Sequence, residues 1–374
     1  MVSKYLKRLL LKEWLPITIT FTLVATFIFV IYLSTFDLYG NNYILNDAIY
    51  VESISIPFSI FAISMPFFVY NYRFSLKSSD TYAQLPFEPK QMRNTRVFAG
   101  LIAVCSGIII SFLIGFVFFT VRYYASPLTY KPLVMDEDII RNKGIYNPFG
   151  LLVGLPILLV SIGLEYFITC FMISFTGKSK SAVILVLLTH SMLAYFIPSF
   201  LTYIMTKFDY ASGTFAYLSE MNGAFSAYSP GYMFTVNIAD YFVTNLAWNS
   251  NGFPAMSNAS LIGFALAVGV EVIIGSLSVT MVLLKDDPSG EYSGNNGLIY
   301  PKFNWITYLT VIPLFLLLSS SIAKTIYLYL IVDVLIVAFY YFLNVTFVGS
   351  FKMKKYNYFI LGGMFILFII AYFM

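Results

Sequence analysis

The sequence predicts an all-α polytopic membrane protein of about nine transmembrane helices, and three observations carry that prediction. Of 374 residues, 59% are hydrophobic and only 11% are charged, where soluble domains are about a quarter charged. Mean hydropathy is +0.80. Apolar runs of roughly 17 to 25 residues, long enough for a hydrocarbon core of ~30 Å, recur along the chain with polar islands between them.

The first element is residues 1–14, MVSKYLKRLLLKEW, where Lys4, Arg8 and Lys12 repeat at i+4 while Leu6, Leu10 and Trp14 mark a different face. No small-residue cleavage site follows, which argues against a signal peptide. The segment reads as an interfacial amphipathic helix leading into the first span. Nine spans then fall at 15–33, 54–70, 97–121, 149–175, 182–205, 260–284, 305–319, 325–347 and 358–374. The seventh is short and exits at Ser319-Ser320-Ser321 and Lys324, so it pairs with the eighth as a hairpin.

Orientation follows from the excess of Lys and Arg in cytoplasmic loops. With the N-terminus inside, the inner segments hold Lys4, Lys7, Arg8, Lys12, Arg73, Lys77, Lys90, Arg93, Arg96, Lys178, Lys180, Lys285, Lys302, Lys352, Lys354 and Lys355, which is 16 of the 22 cations. That asymmetry accounts for the net charge of +4. No nucleic-acid partner is needed to explain it. Residues 122–147 and 207–259 then lie outside. Phe208, Tyr210, Phe215, Tyr217, Tyr228, Tyr232 and Trp248 in the second segment need burial, which suits a small extracytoplasmic cap. Cys105 and Cys170 both fall in spans, so no disulfide framework is expected.

Several motifs lose their chemistry on inspection. Thr176-Gly177-Lys178-Ser179 resembles the end of a nucleotide-binding loop, but Met172 replaces the first glycine and a helix precedes it where a strand is required. The chain has no nucleotide site of its own. Asp136-Glu137-Asp138 and Asp286-Asp287 have no companions at metal-ligand spacing and read as solvated loops. Asn344-Val-Thr lies within a span and cannot be glycosylated, and Asn258-Ala-Ser is read as a chance match.

Other residues keep two readings. In the third span Ala99, Ala103, Gly107, Ser111 and Gly115 stand at successive i+4 positions, and Gly263, Ala267 and Gly275 form a shorter ridge in the sixth. Small-residue ridges let helices approach closely, either within one chain or against a second subunit. Glu165, Glu271 and Asp333 sit inside spans at a cost of at least ~2.5 kcal/mol each, so each faces protein or a water-filled path. They are hydrogen-bonded structural acids, or a polar substrate route or proton site. His190, the single histidine, is a buried hydrogen-bonded imidazole or the base of a membrane-embedded transferase.

The island between the second and third spans carries five cations and reads SSDTYAQLPFEPKQMRNTRVFAGL from Ser78. Its order is Asp80, then Leu85-Pro86, a cationic helix start, and Arg96 leading into the span. This resembles the cytosolic segment after the second span of bacterial ABC-2-type permeases, with Glu88-Pro89 in place of the usual hydroxyl and Arg pair. After the sixth span, Pro288-Ser-Gly-Glu291-Tyr-Ser-Gly294 through Tyr300 is similar to a second conserved segment of such permeases, in which Asp287 stands where their Arg is found. The permeases in question include those of Gram-positive bacteria linked to antimicrobial-peptide or antibiotic export.

The resemblance implies a six-span permease core over residues 15–284, with three further spans after the cytosolic loop in 285–374. It implies a bacterial cytoplasmic-membrane location, a coupling helix within residues 73–96, a separate ABC ATPase in two copies, and a second permease chain, identical or different. ATP and magnesium would be bound by the ATPase and no cofactor by this chain. Tyr82, Leu85 and Phe87, on a segment broken by Pro86 and Pro89, would face the ATPase. Asp80, Glu88 and Lys90 would flank them, and Lys90, Arg93 and Arg96 would stay near anionic headgroups.

Overall fold

The computed structural model describes residues 2–35, 45–74, 88–125, 152, 154–174, 176, 179–191, 193, 269 and 272–283, with isolated positions between 331 and 366. Among the described residues the chain is helical and contains no strand. Three stretches are long and apolar enough to cross a membrane: Lys4–Ile31, Lys90–Phe118 and Gly154–Ser174. The nine-span count, the cap and the 7–8 hairpin rest largely on residues outside the described set.

Helix α1 (Val2–Arg8) does not stop before the first span. One π-helical stretch, Leu9–Trp14, joins it to α2 (Leu15–Thr35). The sequence predicts two helices with a boundary at residue 14, whereas the backbone stays helical through it. A π step aligns residues five apart. It therefore turns both Leu9 and Trp14 into the core while Lys4, Arg8 and Lys12 remain exposed.

Helix α3 (Leu45–Val69) runs unbroken through Pro57 and Pro66, then closes through a short 3-10 turn at Asn71–Arg73. Pro156 occupies the first turn of α5 (Gly154–Ser174), where a missing N–H costs nothing. Neither α3 nor α5 is interrupted by its prolines. Helix α4 (Pro89–Ala125) starts on the Glu88 carbonyl, which accepts from the Met92 N–H at 3.0 Å. Helices α6 (Ser179–Ser191) and α7 (Val272–Leu283) join the bundle among the described residues.

Helix α4 is central, packing on α1, the π turn, α2, α3 and α5, while α5 packs on α3 and α6. The core is built from α2 residues Thr18, Thr22, Ala25 and Phe29, from Phe58, Phe61 and Met65 of α3, and from the small residues of α4. Phe21 stacks on Phe61 with centroids 4.3 Å apart. On the outside, Leu23 and Phe27 of α2, Val117 of α4 and Leu277 of α7 are each more than half exposed. An apolar belt of this kind has lipid as its natural solvent.

Candidate functional site

The small-residue ridge of α4 is used inside the chain. Ala99, Ala103, Gly107, Ser111 and Gly115 are all buried, and α2 lies against them. A Cβ at Gly107 would stand 2.8 Å from Thr22 Oγ1 and 3.0 Å from Phe58, and one at Gly115 would overlap the Phe29 ring. Thr26 Oγ1 and Ser111 Oγ are 2.7 Å apart and share a hydrogen bond across the seam. Of the two readings of this ridge, intrachain packing is the one realised. Gly275 does the same in α7, where a Cβ would meet Leu164 of α5 at 2.5 Å. Gly263 and Ala267 lie outside the described residues.

Tyr166 is fully buried and donates from its hydroxyl to the Val97 carbonyl at 2.8 Å. Gly100 makes room for that contact, because a Cβ there would collide with the Tyr166 oxygen. No spacing in the sequence marks this pair.

A second constellation gathers at the start of α4. Arg96 is 3% exposed, which corrects the expectation of a headgroup-facing cation. Its Nε donates to the Val69 carbonyl at 2.9 Å, Nη2 to the Phe68 carbonyl at 3.3 Å, and Nη1 to the Tyr5 hydroxyl at 3.2 Å. The guanidinium also lies 5.5 Å from the Trp14 ring centroid and 5.3 Å from that of Tyr72. The physical reason is the end of α3. Its last carbonyls have no intrahelical donor and carry the negative end of the helix dipole, so a forked cation bonds them better than a lipid phosphate would.

Arg93 is also buried and donates to Asn94 Oδ1 at 3.3 Å, while Asn94 Nδ2 donates to the Leu283 carbonyl of α7, also at 3.3 Å. The first turns of α4 thus bond the last carbonyls of α3 and a backbone carbonyl of α7. Arg73 is buried beside this cluster, 5.7 Å from the Tyr70 ring centroid. Among the coupling residues expected from sequence, Glu88 is exposed immediately before α4 and Lys90 is half-buried in its first turn. Asp80, Tyr82, Leu85, Pro86 and Phe87 lie outside the described residues, as do Glu291, Gly294 and Tyr300.

The third constellation joins α5 to α6. His190 Nε2 is 2.9 Å from Thr169 Oγ1, and the Thr169 hydroxyl is 2.9 Å from the Glu165 backbone carbonyl. His190 Nδ1 faces Glu165 Oε1 at 3.9 Å. Both side chains are at most 1% exposed. The sequence offers His190 no neighbour, and the antiparallel return of the chain after Ser174 supplies two. Glu271 and Asp333 lie outside the described residues. The chain matches no protein-family model, no curated protein and no solved structure.

Proposed function

We propose that this chain is the permease subunit of an ATP-driven exporter of the ABC-2 type. It sits with nine spans in a bacterial cytoplasmic membrane, N-terminus inside, and carries an amphipathic peptide or lipid-like substrate outward. Two copies of a separate ATPase and a second permease chain, identical or different, complete the assembly. ATP and magnesium belong to the ATPase. The observation that supports this reading is how the ends of the 73–96 island are fastened. Arg73 is buried at the end of α3, Arg96 binds the last carbonyls of α3, and Asn94 binds a backbone carbonyl of α7. A push on residues 75–88 would therefore reach several spans together.

The test is co-purification from native membranes with residues 75–88 intact or altered. An ATPase held through this segment supports the proposal, and isolation without any ATP-hydrolysing partner sinks it. Leu85→Asp should abolish transport and ATPase stimulation in proteoliposomes while the chain still folds.

A second reading, a proton-coupled secondary transporter using Glu165, Glu271 and Asp333, is favoured by the position of Glu165 beside His190. Transport that survives ATP depletion and collapses with the proton gradient would select it over the first.

A further inference from the structure

We infer that the exposed cations of α1 and the π turn bind the headgroup of one anionic phospholipid, whose acyl chains lie along the outer row of α2. Lys4, Lys7, Arg8 and Lys12 are all exposed, and Glu13 is the one acid within residues 2–14. The opposite face is fixed to the bundle. Leu9 and Trp14 are buried, Tyr5, Leu6 and Leu10 pack against the core, and Arg96 of α4 meets both the Tyr5 hydroxyl and the Trp14 ring. The cations therefore stand on a held element, and their direction is set before a ligand arrives. Preorganisation of this kind cuts the ordering cost of binding.

Backbone geometry gathers the cations into one row. In an α-helix, residues four apart drift around the axis by about 40°, because 3.6 residues close a turn. From Lys4 to Arg8 the chain is α-helical and takes that drift. From Leu9 to Trp14 it is π-helical, where bonds run to the fifth residue and a turn takes more than four, so the drift from Arg8 to Lys12 runs the other way. Lys4, Arg8 and Lys12 thus form a nearly straight row at most about 12 Å long, with Lys7 flanking it. Side chains lean toward the N-terminus of their helix, which brings the Lys12 ammonium back toward the level of Arg8. A phosphodiester is the compact anion that suits guanidinium and ammonium donors at such spacing.

A second observation separates a lipid from a free phosphate. Lys7, Leu11, Leu15, Ile19, Leu23 and Phe27 are spaced four apart, and each of the five apolar members is more than two-fifths exposed. Charge ends abruptly along this row. Residues 15–35 contain no Asp, Glu, Lys or Arg, so a cationic head passes directly into an apolar track, as the headgroup of a phospholipid passes into its chains. A free phosphate would use the cations alone, whereas a lipid uses both parts. The inference requires only a chain set in a bilayer, and its failure would leave the permease reading untouched.

The test is native mass spectrometry of the full chain in non-ionic detergent, titrated with phosphatidylglycerol, with phosphatidylcholine of the same acyl chains, and with glycerol phosphate. One phosphatidylglycerol should be held in preference to phosphatidylcholine, and glycerol phosphate should not be retained. Each cation near an anionic lipid is worth roughly fivefold in affinity, so Lys7→Gln, Arg8→Gln and Lys12→Gln combined should weaken phosphatidylglycerol binding about a hundredfold. Lys7→Arg with Lys12→Arg should keep it, and Leu11→Ser with Leu15→Ser should weaken it with the cations intact. If the triple variant does not fold, Lys7→Glu and Lys12→Glu are read singly, and each should weaken phosphatidylglycerol without changing phosphatidylcholine. Equal binding of the two lipids overturns the inference. So does glycerol phosphate held as tightly as the lipid, or phosphatidylglycerol affinity that is unchanged by loss or reversal of these charges.

Discussion

Replacing Arg96 by methionine separates a caged cation from a headgroup-facing one. The substitution keeps an apolar stem of similar length and removes the guanidinium. The Phe68 and Val69 carbonyls lose a charged donor in a buried site, at about 1–3 kcal/mol each. The faces of Trp14 and Tyr72 lose a cation, at about 0.5–1 kcal/mol each. The sum, roughly 3–8 kcal/mol, is a large share of the ~5–15 kcal/mol that holds a typical domain folded. Arg96→Lys keeps the charge and loses the fork, because one ammonium reaches one carbonyl, so it should lose about half as much. The assay is equilibrium unfolding in mixed detergent and SDS micelles, followed by far-UV circular dichroism. The refuting result is a lysine variant as stable as the native chain with the methionine variant within about 1 kcal/mol of it, the pattern of a cation that meets only lipid phosphate.

Gly107→Val should destabilise by about 1–3 kcal/mol through overpacking, since its branches would press on Thr22 and Phe58; the same unfolding titration reads it. Gly115→Leu should be worse, because the Phe29 ring already fills the space, and loss of the monomer peak in fluorescence-detected size exclusion would report it. Tyr166→Phe removes the hydroxyl bond to Val97 and should cost about 1 kcal/mol, again read by the unfolding titration.

Elements governed by local chemistry were legible in the sequence. The i+4 repeat of Lys4, Arg8 and Lys12 does mark an exposed face, and Ala99 through Gly115 do mark a helix seam. Local pattern fails where partners are distant in the chain. Trp14 becomes buried through a π step that no residue signature announces. Arg96 belongs by composition to a basic island, yet its partners lie 27 and 28 residues upstream at the end of α3. Sequence could have suggested this from one signal, an aromatic set at Tyr70 and Tyr72 just where α3 ends. His190 reads as solitary in the sequence for the same reason, since Thr169 reaches it only after the chain reverses.

The length of α4 gives the cluster around Arg96 a mechanical meaning. The helix has 37 residues, about 55 Å of rod at 1.5 Å per residue, against ~30 Å of hydrocarbon. Arg96 grips it near one end, leaving about 10 Å of helix on the Pro89 side and about 44 Å on the Ala125 side. Were α4 to pivot there, its unequal arms would turn a sideways step of about 1 Å at Pro89 into about 4 Å at Ala125 by that ratio of lengths. Thr26, Ser111 and the glycine contacts bind α2 along the long arm, and Tyr166 binds α5 to it at Val97 and Gly100, so a displacement of that arm would be carried to both neighbours.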